Sequence, residues 1–351
     1  MFLGITYTFV LFLSFFLLAL IVEEYFVPTL DKISSIFKLS PDIAGATLMA
    51  AGSSAPELFI SLFALIKPGD YANVGAGTIV GSAIFNVLVI IGISAAFKAA
   101  KLRWQPVIRD LLFYCLSIIV LLISFWDGIL TTTETGLFVG MYLLYLGILI
   151  FWKKFVPYND INPIEETTRT VSKNAIIKWT KRFLTVVMID RTHTRVRLYA
   201  SFFLSIGWIG FLSYVLVESG IALGEMLHIN PTIIALTILA AGTSVPDLFS
   251  SVIVAREGRG DMAVSNAIGS NIFDILIGVG LPWFIILTLR GSNIVVDTEN
   301  LIGSVMLLFA TVIAILFLLI IRKWRIGKRS GLLLVGLYIV YIIYNITRIS
   351  S

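Results

Sequence analysis

Two decapeptides, AAGSSAPELF at 50–59 and AAGTSVPDLF at 240–249, decide how this chain is read. Each leads to a second matching block, IVGSAIFNVLVIIG at 79–92 and AIGSNIFDILIGVG at 267–280. Aligning 41–92 with 231–280 sets Pro41 against Pro231, Thr47 against Thr237, Glu57 against Asp247, Ser82 against Ser270, and Asn86 against Asp274. The matches concentrate on polar residues and glycines rather than on the apolar positions that any two lipid-facing helices share. This bias points to a working centre rather than to a relic of duplication.

Both copies lie inside long apolar windows. Of 351 residues, 58% are hydrophobic and only 13% are charged, and the mean hydropathy is +0.98. A soluble domain carries about a quarter charged residues, so this composition describes an integral membrane protein. The apolar runs are continuous and helix-length, near 3–27, 41–66, 72–97, 106–126, 131–152, 198–222, 229–255, 262–289, 300–321 and 331–349. A spanning helix needs about 20 residues, whereas barrel strands alternate in polarity. The expectation is an all-α membrane protein of ten transmembrane helices. The polar stretch 153–197 divides them into halves, 1–152 and 198–351, with the matched repeats at 41–97 and 231–289. Five spans is an odd number, so the second half enters the membrane from the opposite side, the inverted-repeat plan of many secondary transporters.

Charge placement supports that count. If the N-terminus is outside, every Lys and Arg except Lys67, Arg290 and Arg348 falls in an inner loop or on the 153–197 stretch, as the positive-inside bias requires. Both termini are therefore expected outside and the 153–197 linker in the cytoplasm. The first apolar run lacks a basic lead and is followed by Glu23 and Glu24, which disfavours a cleaved signal peptide. Cys115 is the single cysteine, and His193 and His228 have no sequence partner for zinc or haem. No cofactor and no nucleic-acid partner are expected; the partners are membrane lipid and a transported ion.

Glu57, Asp247 and Asp274 each sit deep in an apolar window. A central ionised side chain costs about 2.5–3.5 kcal/mol on insertion scales, and no Lys or Arg lies at comparable depth in the sequence. A bound cation or a proton supplies the missing charge most simply. The neighbours Ser53, Ser54, Thr243, Ser244, Ser82, Ser270 and Asn86 are hard oxygen donors of the kind Ca²⁺ takes, six to eight at about 2.3–2.6 Å. Pro56 and Pro246 remove backbone donors, so the carbonyls near Ala50 and Ala240 are expected to turn toward the ion. For any one hydroxyl, a back-bond to its own helix is the simpler reading; the paired acids reverse that preference. Gly52, Gly81, Gly242 and Gly269 read as packing glycines beside the centre.

The two repeats resemble the α-repeats of the Ca²⁺/cation antiporter superfamily, and AAGTSVPDLFSSVIVAREGRGDMAVSNAIGSNIFDILIGVGLPW at 240–283 resembles the K⁺-dependent Na⁺/Ca²⁺ exchanger branch. That resemblance implies exchange of Ca²⁺ for Na⁺ by alternating access, with K⁺ carried alongside Ca²⁺. Glu57 and Asp247 would be ligands shared by Ca²⁺ and Na⁺; Ser53, Ser54, Thr243, Ser244, Ser82, Ser270 and Asn86 would complete the ion sites. Asp274 occupies the position tied to K⁺. Ca²⁺ and K⁺ together balance the three acids, whereas Ca²⁺ alone leaves one negative charge unless a carboxyl is protonated. Asn73 departs from the branch, which commonly has Asp there. The central linker is too short for the regulatory Ca²⁺-binding domains of animal exchangers.

Two alternatives stay within the superfamily, a K⁺-independent Na⁺/Ca²⁺ exchanger and an H⁺-coupled Ca²⁺ exchanger. The repeats of the H⁺-coupled branch run Gly-Asn-Ala/Thr-x-Glu and match less well. An intramembrane aspartyl protease would use Asp247 and Asp274 and find Gly-x-Gly-Asp at 258–261. It leaves the Glu57 copy unexplained, and no enzyme activity is expected. The basic, apolar stretch 173–190 reads equally as a segment on the inner membrane surface and as a solvated connector.

Overall fold

The computed structural model describes residues 2–36, 50–69, 71–156, 195–256, 260–291, 293–296 and 298–349. Pro41, Thr47, His193, the start of the first repeat and residues 157–194 of the linker, with its 173–190 stretch, lie outside these residues.

The chain opens with α1 (Phe2–Ile21), a wide π turn at Val22–Phe26 and α2 (Val27–Ile36). The first repeat runs through α3 (Ala50–Ser53), α4 (Ala55–Ile66), α5 (Ala72–Phe85), a π turn at Asn86–Ile90 and α6 (Ile91–Phe97). Then come β1 (Ala100–Lys101), α7 (Trp104–Ser124), β2 (Ile129–Leu130) and α8 (Thr132–Phe155). After the linker, α9 (Arg195–Leu227) leads into the second repeat: α10 (Pro231–Ile234), a π turn at Ala235–Leu239, α11 (Ala240–Thr243), α12 (Val245–Arg256), α13 (Gly260–Phe273), a π turn at Asp274–Val279 and α14 (Gly280–Arg290). β3 (Ile294–Val295), α15 (Thr298–Ile321), β4 (Arg325–Ile326) and α16 (Lys328–Ile349) complete it.

Among the described residues, 7 helical stretches are long and apolar enough to cross a membrane: Leu3–Phe26, Ala72–Phe97, Trp104–Ser124, Thr132–Trp152, Arg195–Leu227, Ala263–Arg290 and Leu301–Ile321. Seven of the ten expected windows coincide with these. The described part of the 41–66 window and the 229–255 window are instead broken into short helices. The cause is local. Ser54 (φ −92, ψ 4) and Ser244 (φ −82, ψ 1) leave helical geometry at the same repeat position, two residues before Pro56 and Pro246. A proline's fixed φ and missing donor suit the first turn of a new helix, not the interior of an old one. The remaining window, 331–349, falls within α16.

The helices pack in two bodies of buried apolar side chains. The larger, including Ile79, Leu88, Leu111, Tyr114, Trp283 and Leu308, is built around α5, α7, α8, α13, α15 and α16. The smaller joins α1 and α9 through Leu11, Phe15, Leu18, Ile209 and Leu216, and rests on Ile60 and Ala64 of α4. Apolar side chains such as Phe9, Ile123, Phe155, Leu289 and Ile321 are exposed on the outside, as a lipid-facing surface requires. Stretch 72–97 is 89% buried and is the central column.

Arg109 differs from its expected loop position. It lies within α7, buried, and pairs through Nε and Nη2 with Asp110 at 2.7 and 3.1 Å. Tyr145 of α8 donates to the same carboxylate at 3.1 Å. Two opposite charges that bond each other can be enclosed, whereas a lone one cannot.

Candidate ion site between the two repeats

Each helix that starts after a break presents an acid in its first turn, Glu57 on α4 and Asp247 on α12. The positive end of a helix dipole favours a carboxylate there. α4 packs against the Asp274–Val279 turn and α12 against the Asn86–Ile90 turn, so each acid faces the π turn of the other copy. Both π turns begin at the aligned polar positions, Asn86 and Asp274. Such one-turn bulges occur often at functional sites. Glu57, Asp247, Asp274 and Asn86 are all buried, at 2%, 3%, 1% and 0% exposure.

Close approach of the copies depends on α5 crossing the 235–239 turn. A Cβ at Gly81 would collide with the Leu236 carbonyl oxygen and lie 2.7 Å from Ala240 Cβ. Gly242 is likewise filled against by the ring of Phe15. Gly269, aligned with Gly81, is buried as well, and among the described residues nothing lies within 4 Å of its would-be Cβ.

Ser82 then donates to Glu57 Oε1 at 3.3 Å and meets Ser244 Oγ at 2.7 Å. Asn86 Nδ2 reaches Asp247 Oδ2 at 3.5 Å, Ser270 Oγ at 3.4 Å and Asn271 Oδ1 at 2.9 Å. Thr243 lies beside Glu57, and Ser54 beside Asp274. Ser53, Thr243 and Ser270 donate back to carbonyls of their own helices, at 3.4 Å to Ala50, 3.2 Å to Ala240 and 3.3 Å to Ala267. That is the simpler reading of a helical hydroxyl, yet it leaves the oxygen lone pairs for another partner.

The carbonyls of Ala50 and Ala240 are not released as expected. They accept the N–H of Ser54 at 3.0 Å and of Ser244 at 3.3 Å, besides the hydroxyls just named. A proline withholds its donor from the residue four before it, which here is Gly52 or Gly242.

Several oxygens stay without a hydrogen-bond partner among the described residues: Glu57 Oε2, both oxygens of Asp274, Ser54 Oγ and Asn86 Oδ1. An unpaired buried polar atom costs about 1–3 kcal/mol, more when charged, and here five converge between two broken helices. Among the described residues, no three His, Cys, Asp or Glu side chains close on a single metal position. The centre is thus two or three acids supplemented by hydroxyl and amide oxygens, suited to a hard cation rather than to zinc.

Sequence reasoning missed Asn271 and Tyr114. Asn271 Nδ2 donates to the Ala83 carbonyl at 3.2 Å and to Tyr114 Oη at 3.0 Å. A carbonyl only accepts, so the Asn271 amide must turn its oxygen to Asn86. That contact in turn fixes the Asn86 amide with its NH₂ toward Asn271, leaving Oδ1 free. The signal was present but inverted: Asn271 aligns with Ala83, the residue whose carbonyl it binds, so the position looked unmatched. Ser61 and Ser251, also aligned, are buried as well; Ser61 accepts from Trp283 Nε1 at 2.8 Å.

Apolar crossing helices, paired helix breaks and a buried oxygen-lined acid cluster define a membrane transporter of cations, not an enzyme. The chain belongs to the sodium/calcium exchanger protein family, whose model matches residues 7–151 and 197–347, and so to the Ca²⁺/cation antiporter superfamily. It is 29% identical to sodium/potassium/calcium exchanger 2 of Gallus gallus over 95% of this chain and 75% of that protein. The structure of the sodium-calcium exchanger NCX_Mj soaked with Na⁺ and Sr²⁺ superposes with a TM-score of 0.61 at 22% identity, covering 97% of this chain and 98% of that one. The H⁺/Ca²⁺ exchanger CAX gives 0.68 at 15% identity over 97% and 82% of the two chains. At these identities the two structures establish a shared fold.

Proposed function

We propose that this protein is a secondary antiporter that exchanges Ca²⁺ for Na⁺ by alternating access and carries K⁺ with Ca²⁺. The observation that carries the reading is the buried centre itself: Glu57 and Asp247, drawn from opposite copies and ringed by Ser82, Asn86 and Ser244, with buried oxygens of Glu57, Asn86 and Asp274 that lack a hydrogen-bond partner among the described residues. Na⁺/K⁺/Ca²⁺ exchange in the relative, with family membership, supports the ion set.

On this reading Glu57 and Asp247 bind either Ca²⁺ or Na⁺, helped by Ser53, Ser54, Ser82, Thr243, Ser244, Ser270 and Asn86. The Ala50 and Ala240 carbonyls contribute once the hydroxyls of Ser53 and Thr243 turn from them to the ion. Asp274, whose two oxygens lack partners, balances K⁺. The architecture is ten spans in two inverted halves, 1–152 and 198–351, with 153–197 a cytoplasmic linker and both termini outside a plasma membrane. The separate α1–α9 body is the part that slides. An empty site keeps its negative charge and cannot cross the apolar barrier cheaply, so exchange is obligatory.

The test is ⁴⁵Ca²⁺ uptake by Na⁺-loaded proteoliposomes, with and without external K⁺. Uptake that requires Na⁺ inside and K⁺ outside is expected, with Glu57→Gln inactive and Asp274→Asn active but indifferent to K⁺. Uptake driven by a pH gradient and not by Na⁺ would replace this reading with proton coupling.

A further inference from the structure

Two short ladders tie distant parts of the chain together, β1 with β4 and β2 with β3. In the first, Ala100 pairs with Ile326 and Lys101 with Arg325. Ile326 is buried, whereas Lys101 and Arg325 are exposed. Directly opposed residues of an antiparallel pair hold their Cβ atoms about 4.5–5.5 Å apart, and like charges in that position destabilise the ladder. The adjoining residues Lys98, Arg103, Arg322 and Lys323 deepen the imbalance. None of these six forms an ion pair among the described residues.

The arrangement is also held in place at a backbone cost. Lys323 and Trp324 adopt φ of 50 and 61, the left-handed region that L side chains rarely take, and such strain persists only where its surroundings enforce it. Here Leu102 N–H donates to the Trp324 carbonyl at 2.7 Å, locking the turn onto the strand beside it. A turn strained to set two cations side by side calls for an anion between them.

Location identifies the source of that anion. The ladder joins the ends of stretches 72–97 and 301–321, where both leave the apolar zone, and Trp104 stands exposed next to it. Tryptophan concentrates at the level of lipid headgroups, and basic clusters there attract anionic lipid. Ammonium and guanidinium groups are the two side chains that bind phosphate by charge and by a fork of donors.

We propose that the β1–β4 ladder is a binding site for the phosphate of an anionic phospholipid headgroup, which bridges Lys101 and Arg325 and clamps the two repeats' flanking helices together. The inference is independent of which ions are exchanged.

The test compares full-length protein in phosphatidylcholine nanodiscs with and without a minority of phosphatidylglycerol, reading melting temperature and lipid retained in native mass spectra. Phosphatidylglycerol should raise the melting temperature of the wild type. The Lys101→Gln/Arg325→Gln variant should lose that rise and retain about tenfold less phosphatidylglycerol. In phosphatidylcholine alone the variant should melt at or above the wild type, because its repulsion is gone; this arm also shows that it folds. A Lys154→Gln/Arg195→Gln control removes two exposed charges elsewhere and should keep the rise. Three results overturn the proposal: a double variant that keeps the rise, a control that loses it equally, or inorganic phosphate that stabilises as well as the lipid.

Discussion

Replacing Gly81 by alanine should damage transport. At Gly81 the new methyl meets the Leu236 carbonyl oxygen and Ala240 Cβ, and both belong to backbone or to a short side chain that cannot swing away. Relief requires α5 to retreat by about 1 Å, the overlap that ordinary contact distances forbid, and such overpacking costs about 1–3 kcal/mol. The retreat carries the adjacent Ser82, whose hydroxyl now lies 2.7 Å from Ser244 Oγ and 3.3 Å from Glu57 Oε1. Adding about 1 Å takes both beyond hydrogen-bond reach. It also exceeds the tolerance of a Ca²⁺ shell, whose ligands sit at about 2.3–2.6 Å. Misplacing groups that orient ligands costs about 10–100-fold in metal affinity, so half-maximal Ca²⁺ uptake should move up by that factor. The assay is ⁴⁵Ca²⁺ uptake against external Ca²⁺ concentration, with melting curves for both proteins. A fully active Gly81→Ala would refute the crossing of α5 over the 235–239 turn.

Other expectations follow from single contacts. Asn271→Ala frees the Asn86 amide to flip, so Ca²⁺ affinity should fall about tenfold; Asn271→Asp, which keeps an acceptor for Asn86 but places a carboxylate against the Ala83 carbonyl, should fall further, as uptake titrations would read. Trp283→Phe loses the bond from Nε1 to Ser61 at 2.8 Å and leaves a buried hydroxyl unpaired, which should lower stability by about 1–3 kcal/mol in a thermal melt. Lys67 of the α4–α5 connection pairs with Glu218 of α9, while Tyr71 donates to Glu225 at 3.0 Å. Because these contacts tie the α1–α9 body to α4 and α5, Lys67→Met should change the uptake rate a few-fold without changing Ca²⁺ affinity; the half-buried pair itself is worth only about 1 kcal/mol. The Lys67→Glu/Glu218→Lys exchange should restore the rate, and failure to do so would mean the pair is incidental.

How much of this was legible beforehand depends on what each residue's partner is. Glu57 and Asp247 were readable because an acid in an apolar window with no cationic neighbour in sequence needs a compensating charge, and because the duplication repeats it. The breaks at Ser54 and Ser244 were half-readable: proline announces a disrupted turn, but where the carbonyls go depends on which donor is missing, and the sequence reading placed it two residues too early. The π turns at 86–90 and 274–279 leave no trace in an apolar run, since shifting one hydrogen bond alters no side chain. Arg109 was counted with the inner-loop charges although the 106–126 window contains it, because a single Arg offers no sign of the adjacent Asp110 that lets both enter a helix. Asn271 escaped notice because its counterpart in the other copy is Ala83, so the duplication gave it no match.

That last point bears on why the two copies have diverged at the centre. Perfect symmetry would place either two amides or two acids at the heads of the π turns. With two amides only Glu57 and Asp247 would remain to hold charge; with two acids the same small volume would hold four carboxylates and no neutral oxygen of that kind. The observed pairing of Asn86 with Asp274 avoids both, and the second asymmetric pair makes it work. Asn271 reaches across to the carbonyl of Ala83 and to Tyr114, a bond that an alanine in its place would lack. The orientation it imposes turns the Asn86 oxygen free, so one side of the centre offers a neutral ligand and the other a charge. On the proposed reading the divalent ion sits where Glu57, Asp247 and the Asn86 oxygen meet, and the extra negative charge stands apart at Asp274. Asn86→Asp should then pull charge back toward the middle. Its prediction is tighter Ca²⁺ binding with a slower release step, visible as uptake that saturates at lower Ca²⁺ but turns over more slowly; faster turnover at unchanged affinity would contradict the division of labour between the two π turns.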